Sequence, residues 1–140
     1  MSYTATARSI DGTLRHEINV NARHTITTDE PERLGGTDTA PTPHELLAAT
    51  LASCVSTMIM LYGRHRDWDL RDVSVDVDYD ADTTPRKVDI TVHLPDGLTA
   101  DQTRRLERVA NTCPVRRALE TGFTFHETLL TDIPAPVHPT

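Results

Sequence analysis

The stretch that decides the fold is residues 42–65, which are TPHELLAATLASCVSTMIMLYGRH. Three signals at its start predict the beginning of a helix. Thr42 can act as the N-cap, Pro43 suits the first helical position, and Glu45 can close a capping box. We therefore predict that a helix begins directly after Thr42.

The interior of this helix carries no charged residue from Leu46 to Tyr62. A membrane span is one interpretation, but a span needs about 20 strongly apolar residues, and this run is short and rich in Ala, Ser and Thr. A chain of 140 residues is long enough for one domain with a real core. We predict a helix of a soluble protein that is buried on all sides and ends near Gly63, with no role in a membrane.

The segments on either side of the helix alternate between apolar and polar residues, as strands do. Three strands are predicted before the helix, at 3–10, 13–20 and 23–28, and three after it, at 71–79, 88–94 and 123–131. A long loop, 29–42, precedes the helix, and a tail, 132–140, ends the chain.

A second helix is predicted from a capping box at Thr99 and Gln102, with Cys113 on its apolar face. Because Pro114 removes a helical hydrogen bond, this helix should kink or restart just after Cys113. The prediction is one α+β domain, residues 1–140, with the element order βββ-α-ββ-α-β.

Charge, histidine spacing and chain length argue against several classes of function. The net charge is −7, the reverse of the basic surface that nucleic-acid binding needs. The histidines show no HxH or HExxH spacing, so no metal site is predicted, and one small domain leaves no room for a cofactor-binding module. Residues 1–10 lack the pattern of a signal peptide, and we expect a cytoplasmic protein.

Two cysteines, Cys54 and Cys113, are the most informative residues. In a reducing compartment, such a pair is a buried apolar pair, the remnant of a metal site or a redox couple. Their position in the two main predicted helices, with Pro114 beside the second, favours the redox couple. If the helices pack together, the two thiols can meet.

Two stretches resemble the OsmC/Ohr family of osmotically inducible and organic hydroperoxide resistance proteins. The first is residues 29–54, which include DEP at 29–31, LGGTDT at 34–39 and PTPHELLAA at 41–49. The second is VANTCPV at 109–115. The GGTDT loop is more similar to the OsmC-like branch than to Ohr. The resemblance implies antiparallel sheets around two long helices and an intertwined homodimer.

The resemblance also implies a thiol peroxidase for organic hydroperoxides that needs no cofactor. Cys54 would be the peroxidatic thiol that becomes a sulfenic acid, Cys113 would be the resolving thiol, and an external dithiol would reduce the resulting disulfide. The thiolate is the reactive form, and burial alone raises the pKa of a thiol. A cation is therefore expected near Cys54.

The family supplies that cation as an arginine paired with a glutamate. Its glutamate lies ten residues before the peroxidatic cysteine, where this chain has His44, so Glu45 is the best substitute. Arg33 matches the OsmC-type arginine, and Arg8 and Arg15 are the nearest matches to the Ohr-type one. Glu45 also has a structural interpretation as part of the capping box.

Helix geometry separates Glu45 from Cys54. Nine residues place the two side chains about 180° apart around the helix and about 13 Å apart along it. If Glu45 supports catalysis, it does so in a partner subunit or through a loop arginine. We therefore hypothesise an active site at a dimer interface.

Two other functions remain open from the sequence. The same fold could bind a small lipophilic ligand, or sense oxidation, without rapid turnover. A long buried helix against a curved sheet also describes a hot-dog thioesterase, although the second cysteine and Pro114 argue against that class.

Overall fold

Three antiparallel strands open the chain, in the spatial order β1-β2-β3. They are β1 (Ala5–Ser9), β2 (His16–Val20) and β3 (His24–Thr28). The structure is a computed structural model and describes residues 1–131, so the predicted tail lies outside the described residues. The three-stranded meander predicted from the alternation is confirmed.

The helix α1 (Pro43–His65) follows, and its start is as predicted. The Thr42 hydroxyl accepts a hydrogen bond from the Glu45 N–H at 3.2 Å, and the Glu45 carboxylate accepts one from the Thr42 N–H at 3.1 Å. Both halves of the capping box are therefore formed.

The burial of α1 differs from the prediction. Its fully buried residues recur at every fourth position and form one stripe, made of Leu51, Val55, Ile59 and Gly63. The opposite side, at positions such as Ser53 and Thr57, is exposed. The prediction of burial on all sides is wrong for the single chain, because within residues 1–131 the elements that pack most closely against α1 all follow it in the sequence and cover one side of it.

The second half of the chain covers the buried stripe. It contains β4 (Ser74–Asp80), β5 (Lys87–His93), α2 (Ala100–Ala110) and α3 (Pro114–Thr121). β4 and β5 form an antiparallel pair. The core joins α1 to these elements through the buried side chains of Val55, Ile59, Leu70, Leu106 and Cys113. Each large apolar side chain buried in this way contributes about 1.5–3 kcal/mol.

Two details after α2 correct the sequence-based prediction. The second helix ends at Ala110, and the chain restarts as α3 at Pro114, so the predicted restart is confirmed, but Cys113 lies between two short helices rather than within one long helix. The predicted strand 123–131 is not formed. A strand needs a neighbouring strand for its backbone hydrogen bonds, and none of the described strands lies beside this segment.

Within residues 1–131, α1 is the one helix long and apolar enough to cross a membrane, with a mean hydropathy of 1.7 over its best 18-residue window. Length and composition are weak evidence, because a core helix passes the same test. One stripe of α1 packs in the core of the single chain, and 22% of the apolar window is buried.

The loop between β3 and α1 is closed around one carboxylate. Asp29 is buried, with 1% of its surface exposed. Its oxygens accept hydrogen bonds from the N–H of Glu30, and from both the N–H and the hydroxyl of Thr37 and of Thr39, at 2.5 to 3.2 Å. Gly36 fits because a Cβ there would lie 1.9 Å from the Glu30 carbonyl oxygen. We call this arrangement the Asp29 clamp.

These hydrogen bonds hold the pKa of the Asp29 carboxyl far below its usual range, with the Thr37 hydroxyl as the largest cause and burial acting in the opposite direction. The ionised carboxylate is the form that the clamp binds. The stability that it provides is therefore present above the ordinary carboxyl pKa and is lost as the pH falls below that value.

We predict that Thr42→Ala lowers the free energy of unfolding by about 0.5–2 kcal/mol, because it removes the N-cap of α1. Urea titration followed by circular dichroism measures this change. Thr50→Ala is the matched control, since Thr50 is exposed within the same helix and bonds only to the Leu46 carbonyl. An equal loss in both variants would contradict the role of the cap.

We predict that Asp29→Asn lowers the stability at neutral pH and weakens its dependence on pH below about 4, the ordinary carboxyl pKa. Urea titrations across the acid range measure both effects. Asp38→Asn is the control, because Asp38 is exposed in the same loop and its carboxylate accepts no hydrogen bond from any described residue. A wild-type acid dependence in Asp29→Asn would refute the prediction.

Candidate functional site

The two thiols meet where α1 packs against the start of α3. Cys54 lies on α1 and is half-buried, whereas Cys113 is the buried N-cap residue of α3. The Cys54 thiol lies beside the Cys113 thiol, and both cysteines are free. A redox couple needs this adjacency, because a disulfide requires the two Cβ atoms to approach within about 4.5 Å.

The start of α3 adds a group that the sequence analysis missed. Pro114 has no N–H, so the first free N–H of the helix belongs to Val115, and it interacts with the Cys54 sulfur. The N-terminus of a helix carries a partial positive charge that favours an anion. The Cys113-Pro114 dipeptide was the available signal, since Pro is common at the first helical position.

The environment of Cys54 in the single chain does not favour the thiolate. Burial raises the pKa of the Cys54 thiol above its ordinary value, and the neighbouring Cys113 thiol raises it further. The Val115 N–H acts in the opposite direction but does not overcome burial. Among residues 1–131 of the same chain, no cationic side chain affects this thiol.

Arg33 and Glu45 lie together in a different place. They line one cleft with Thr42 and His44, between the loop before α1 and the end of the β4-β5 hairpin. Neither cysteine lines this cleft. The structure therefore brings the two thiols together, and brings Arg33 near Glu45, but it does not join these two pairs within one chain.

Glu45 and His44 have structural partners in this cleft. The Glu45 carboxylate accepts the hydrogen bond that completes the capping box, as its structural interpretation predicted. The ring of His44 packs against that of Tyr79, with a distance of 5.6 Å between the ring centroids. His44 thus takes an aromatic packing role at the position where an acid was expected.

The three candidate arginines differ in their contacts. Arg33 is exposed on a 3-10 turn, Glu32–Leu34, and forms no ion pair within the described part of the chain. Arg15 donates a hydrogen bond to the hydroxyl of Thr39, which belongs to the Asp29 clamp. Arg8 lies on β1 opposite Glu17 and is exposed.

We also looked for side chains that could bind a metal ion together. Within residues 1–131, no group of three or more His, Cys, Asp or Glu side chains is placed to hold a metal ion.

Comparison with solved structures gives the same fold over most of the chain. A candidate osmotic-stress-induced and detoxification-response protein from Psychrobacter arcticus is 28% identical, with a TM-score of 0.70 over 84% of this chain and 87% of that one. The organic hydroperoxide resistance protein OsmC from Legionella pneumophila is 24% identical, with a TM-score of 0.61 over 85% and 89%.

A third structure carries a ligand. A candidate organic hydroperoxide resistance protein from Vibrio cholerae, with captopril bound in one of its active sites, is 21% identical, with a TM-score of 0.62 over 85% of this chain and 84% of that one. The last two structures, both below 25% identity, show the shared fold alone. Among curated protein sequences, none matches the chain significantly.

The sequence profile of the OsmC-like proteins matches residues 36–128, which is more than half of the chain. The match begins within the loop before α1, at Gly36, and spans both cysteines and the helices that bring them together. It confirms the resemblance noted in the sequence, and with it the α+β fold class. This chain belongs to the OsmC-like protein family.

Proposed function

We propose that the protein is a thiol-dependent peroxidase that reduces organic hydroperoxides, with Cys54 as the peroxidatic cysteine and Cys113 as the resolving cysteine. The observation that carries this proposal is the adjacency of the two free thiols at the start of α3. Relatives named as organic hydroperoxide resistance proteins share the fold.

The proposed cycle uses only the two thiols and an external reductant. The Cys54 thiolate attacks the O–O bond of the hydroperoxide, takes one oxygen to become a sulfenic acid, and releases the other oxygen as an alcohol after protonation. The Cys113 thiol then attacks the sulfur of the sulfenic acid, whose hydroxyl leaves as water, and a disulfide forms between Cys54 and Cys113. An external dithiol donates two electrons and two protons and restores both thiols. A reducing, cytoplasmic location supplies such dithiols.

Because burial raises the pKa of the Cys54 thiol, a nearby cation would increase the fraction of reactive thiolate in this cycle. Because Arg33 and Glu45 line a separate cleft in the same chain, we propose that they reach the thiol pair of a partner subunit. An arginine at hydrogen-bonding distance from the thiolate would stabilise the charged form and lower its pKa. The active site would then be complete only at a dimer interface.

Exposed apolar surface supports a homodimer. The side of α1 opposite its buried stripe is exposed, and so is the segment after α3, with Phe125 at 81% and Leu129 at 93% exposure. The β1–β3 sheet packs little against the helices of its own chain. Exposed large apolar side chains are typical of interaction surfaces, and a second copy of the chain is the partner that we propose.

One observation favours a second candidate function. A cysteine whose pKa stays above its ordinary value is slow to react, and such a protein would sense oxidation or bind a small ligand without rapid turnover. The two candidates differ in whether the assembled protein lowers the pKa of Cys54. The family match argues against the thioesterase considered from the sequence.

We predict that one equivalent of cumene hydroperoxide converts the reduced protein to a form with a disulfide between Cys54 and Cys113, because the thiols already lie side by side. Mass spectrometry of the digested, unreduced protein detects the linked peptides. Cys54→Ser should abolish peroxide consumption. Cys113→Ser should allow one turnover and leave Cys54 as a sulfenic or more highly oxidised acid.

Unchanged thiols after peroxide treatment would contradict the peroxidase and favour the binding or sensing protein. Equal loss of activity in Cys54→Ser and Cys113→Ser, with no sulfenic acid trapped in either, would contradict the assigned roles.

We predict that two inactive variants complement each other across the dimer. Cys54→Ser and Arg33→Gln are co-expressed with different tags, and the heterodimer is isolated on both tags. If Arg33 acts on the partner subunit, one of the two sites is intact, and the heterodimer should show about half of the wild-type activity.

Absence of activity in that heterodimer would place Arg33 in its own subunit's site, and an active Arg33→Gln homodimer would place it outside the site altogether. A fully active monomer in sedimentation experiments at the assay concentration would refute the interface hypothesis directly.

A further inference from the structure

The Asp29 clamp is more elaborate than a connection between a strand and a helix requires. Its neck is closed by two backbone hydrogen bonds, from the Asp29 N–H to the Pro41 carbonyl and from the Asp38 N–H to the Glu30 carbonyl, both at 3.1 Å. Loops of this kind, closed at the neck and filled by their own groups, are frequently functional.

The clamp determines where Arg33 lies. The 3-10 turn Glu32–Leu34 spans the tip of the loop, and it is followed by Gly35 in the left-handed conformation, with φ of 94°. The Gly36 N–H then bonds back to the Pro31 carbonyl at 3.2 Å. Because the buried carboxylate fixes Thr37 and Thr39 just beyond, the turn that carries Arg33 is held at both ends.

The clamp also contacts the connection between β1 and β2. Arg15, which lies just before β2, donates to the Thr39 hydroxyl, and that hydroxyl in turn donates to the Asp29 carboxylate at 3.1 Å. The buried negative charge thereby links the β1-β2 connection to the loop. Charge-assisted hydrogen bonds of this kind are roughly twice as strong as neutral ones.

We propose that Asp29 is a positioning residue that holds the loop 30–41 so that Arg33 is presented in one fixed place to the thiol pair of a partner subunit. This inference rests on the proposed function and deepens it. Asp29 itself touches no reacting atom. Its effect passes through the loop, and a displacement of about 1 Å in such a charged group can cost as much as 100-fold in rate.

Positioning and direct electrostatics predict opposite changes in the pKa of Cys54 when Asp29 is replaced, so the role of Asp29 can be tested. Removing a nearby negative charge by itself lowers the pKa of a thiol. If Asp29 positions Arg33, its removal displaces the cation and raises the pKa of Cys54 instead. The direction of the change therefore separates positioning from a direct effect of charge.

The experiment uses the full-length protein and measures the pH dependence of Cys54 alkylation by iodoacetamide, with peptide mass spectrometry as the readout. Asp29→Asn is the main variant. Thr39→Val is the second, because Thr39 is exposed and its replacement is compatible with folding. Asp38→Asn is the matched control, since it removes the same charge from the same loop outside the clamp and Asn tolerates the positive φ of 53° there.

We expect the apparent pKa of Cys54 to rise in Asp29→Asn and Thr39→Val, and also in Arg33→Gln, and to show no rise in Asp38→Asn. The kcat/KM for cumene hydroperoxide should fall about 10- to 100-fold in both clamp variants. The double variant Asp29→Asn, Arg33→Gln should be no worse than Arg33→Gln alone, because both changes remove the same interaction. Trypsin should cleave after Arg33 faster in both clamp variants.

Three results would overturn the inference. They are a Cys54 pKa that falls or stays constant in both clamp variants, additive losses in the double variant, and trypsin cleavage after Arg33 at the wild-type rate. Failure of the wild-type protein to consume peroxide contradicts the proposed peroxidase instead. The alkylation measurement needs no turnover, so it decides the role of Asp29 separately.

Discussion

The contact between α1 and the start of α3 is the constraint on which the rest of the structure depends. It places Cys54 beside Cys113, and it exists because α2 ends at Ala110 and the chain turns before Pro114. If α2 had continued as a helix through Cys113, the chain would not turn before Pro114, and Cys113 would not lie at the contact between α1 and α3. The missing N–H of Pro114 prevents the second helix from continuing, and the Val115 N–H faces the Cys54 sulfur because the first turn of α3 offers it no acceptor within the helix.

Within the single chain, the thiol pair and the cleft lined by Arg33 and Glu45 lie in different places. The thiol pair has the adjacency that disulfide chemistry needs, but its surroundings favour the neutral thiol. The cleft that contains Arg33 and Glu45 has the charges, but no thiol. A site divided in this way would be inactive until two copies meet, so assembly and activity would be one event in the proposed enzyme.

The loop before α1 shows how a small domain can fix the backbone that carries an exposed charged residue without a large core. Arg33 has few contacts of its own, yet the backbone on both sides of it is held by the buried carboxylate of Asp29. Gly36 is required because the chain passes within contact distance of the Glu30 carbonyl. The sequence motif GGTDT is thus explained by hydrogen bonding and close backbone approach.

The sequence by itself determined the elements whose causes are local. The capping box at Thr42, the first five of the predicted strands and the restart at Pro114 depend on neighbouring residues, and the structure has these elements. The family and the candidate cysteines also followed from short motifs. The amphipathic pattern of the segment 123–131 predicted a strand, but a strand also needs a partner, which no local pattern supplies.

Only the tertiary structure decided how these parts meet. The uncharged length of α1 could not show that one stripe alone is buried, because burial depends on which distant elements cover the helix. The adjacency of the thiols, the raised pKa of Cys54 and the separation of Arg33 from it depend on contacts between residues far apart in the chain. Such contacts arise from packing, and packing is set by the fold as a whole.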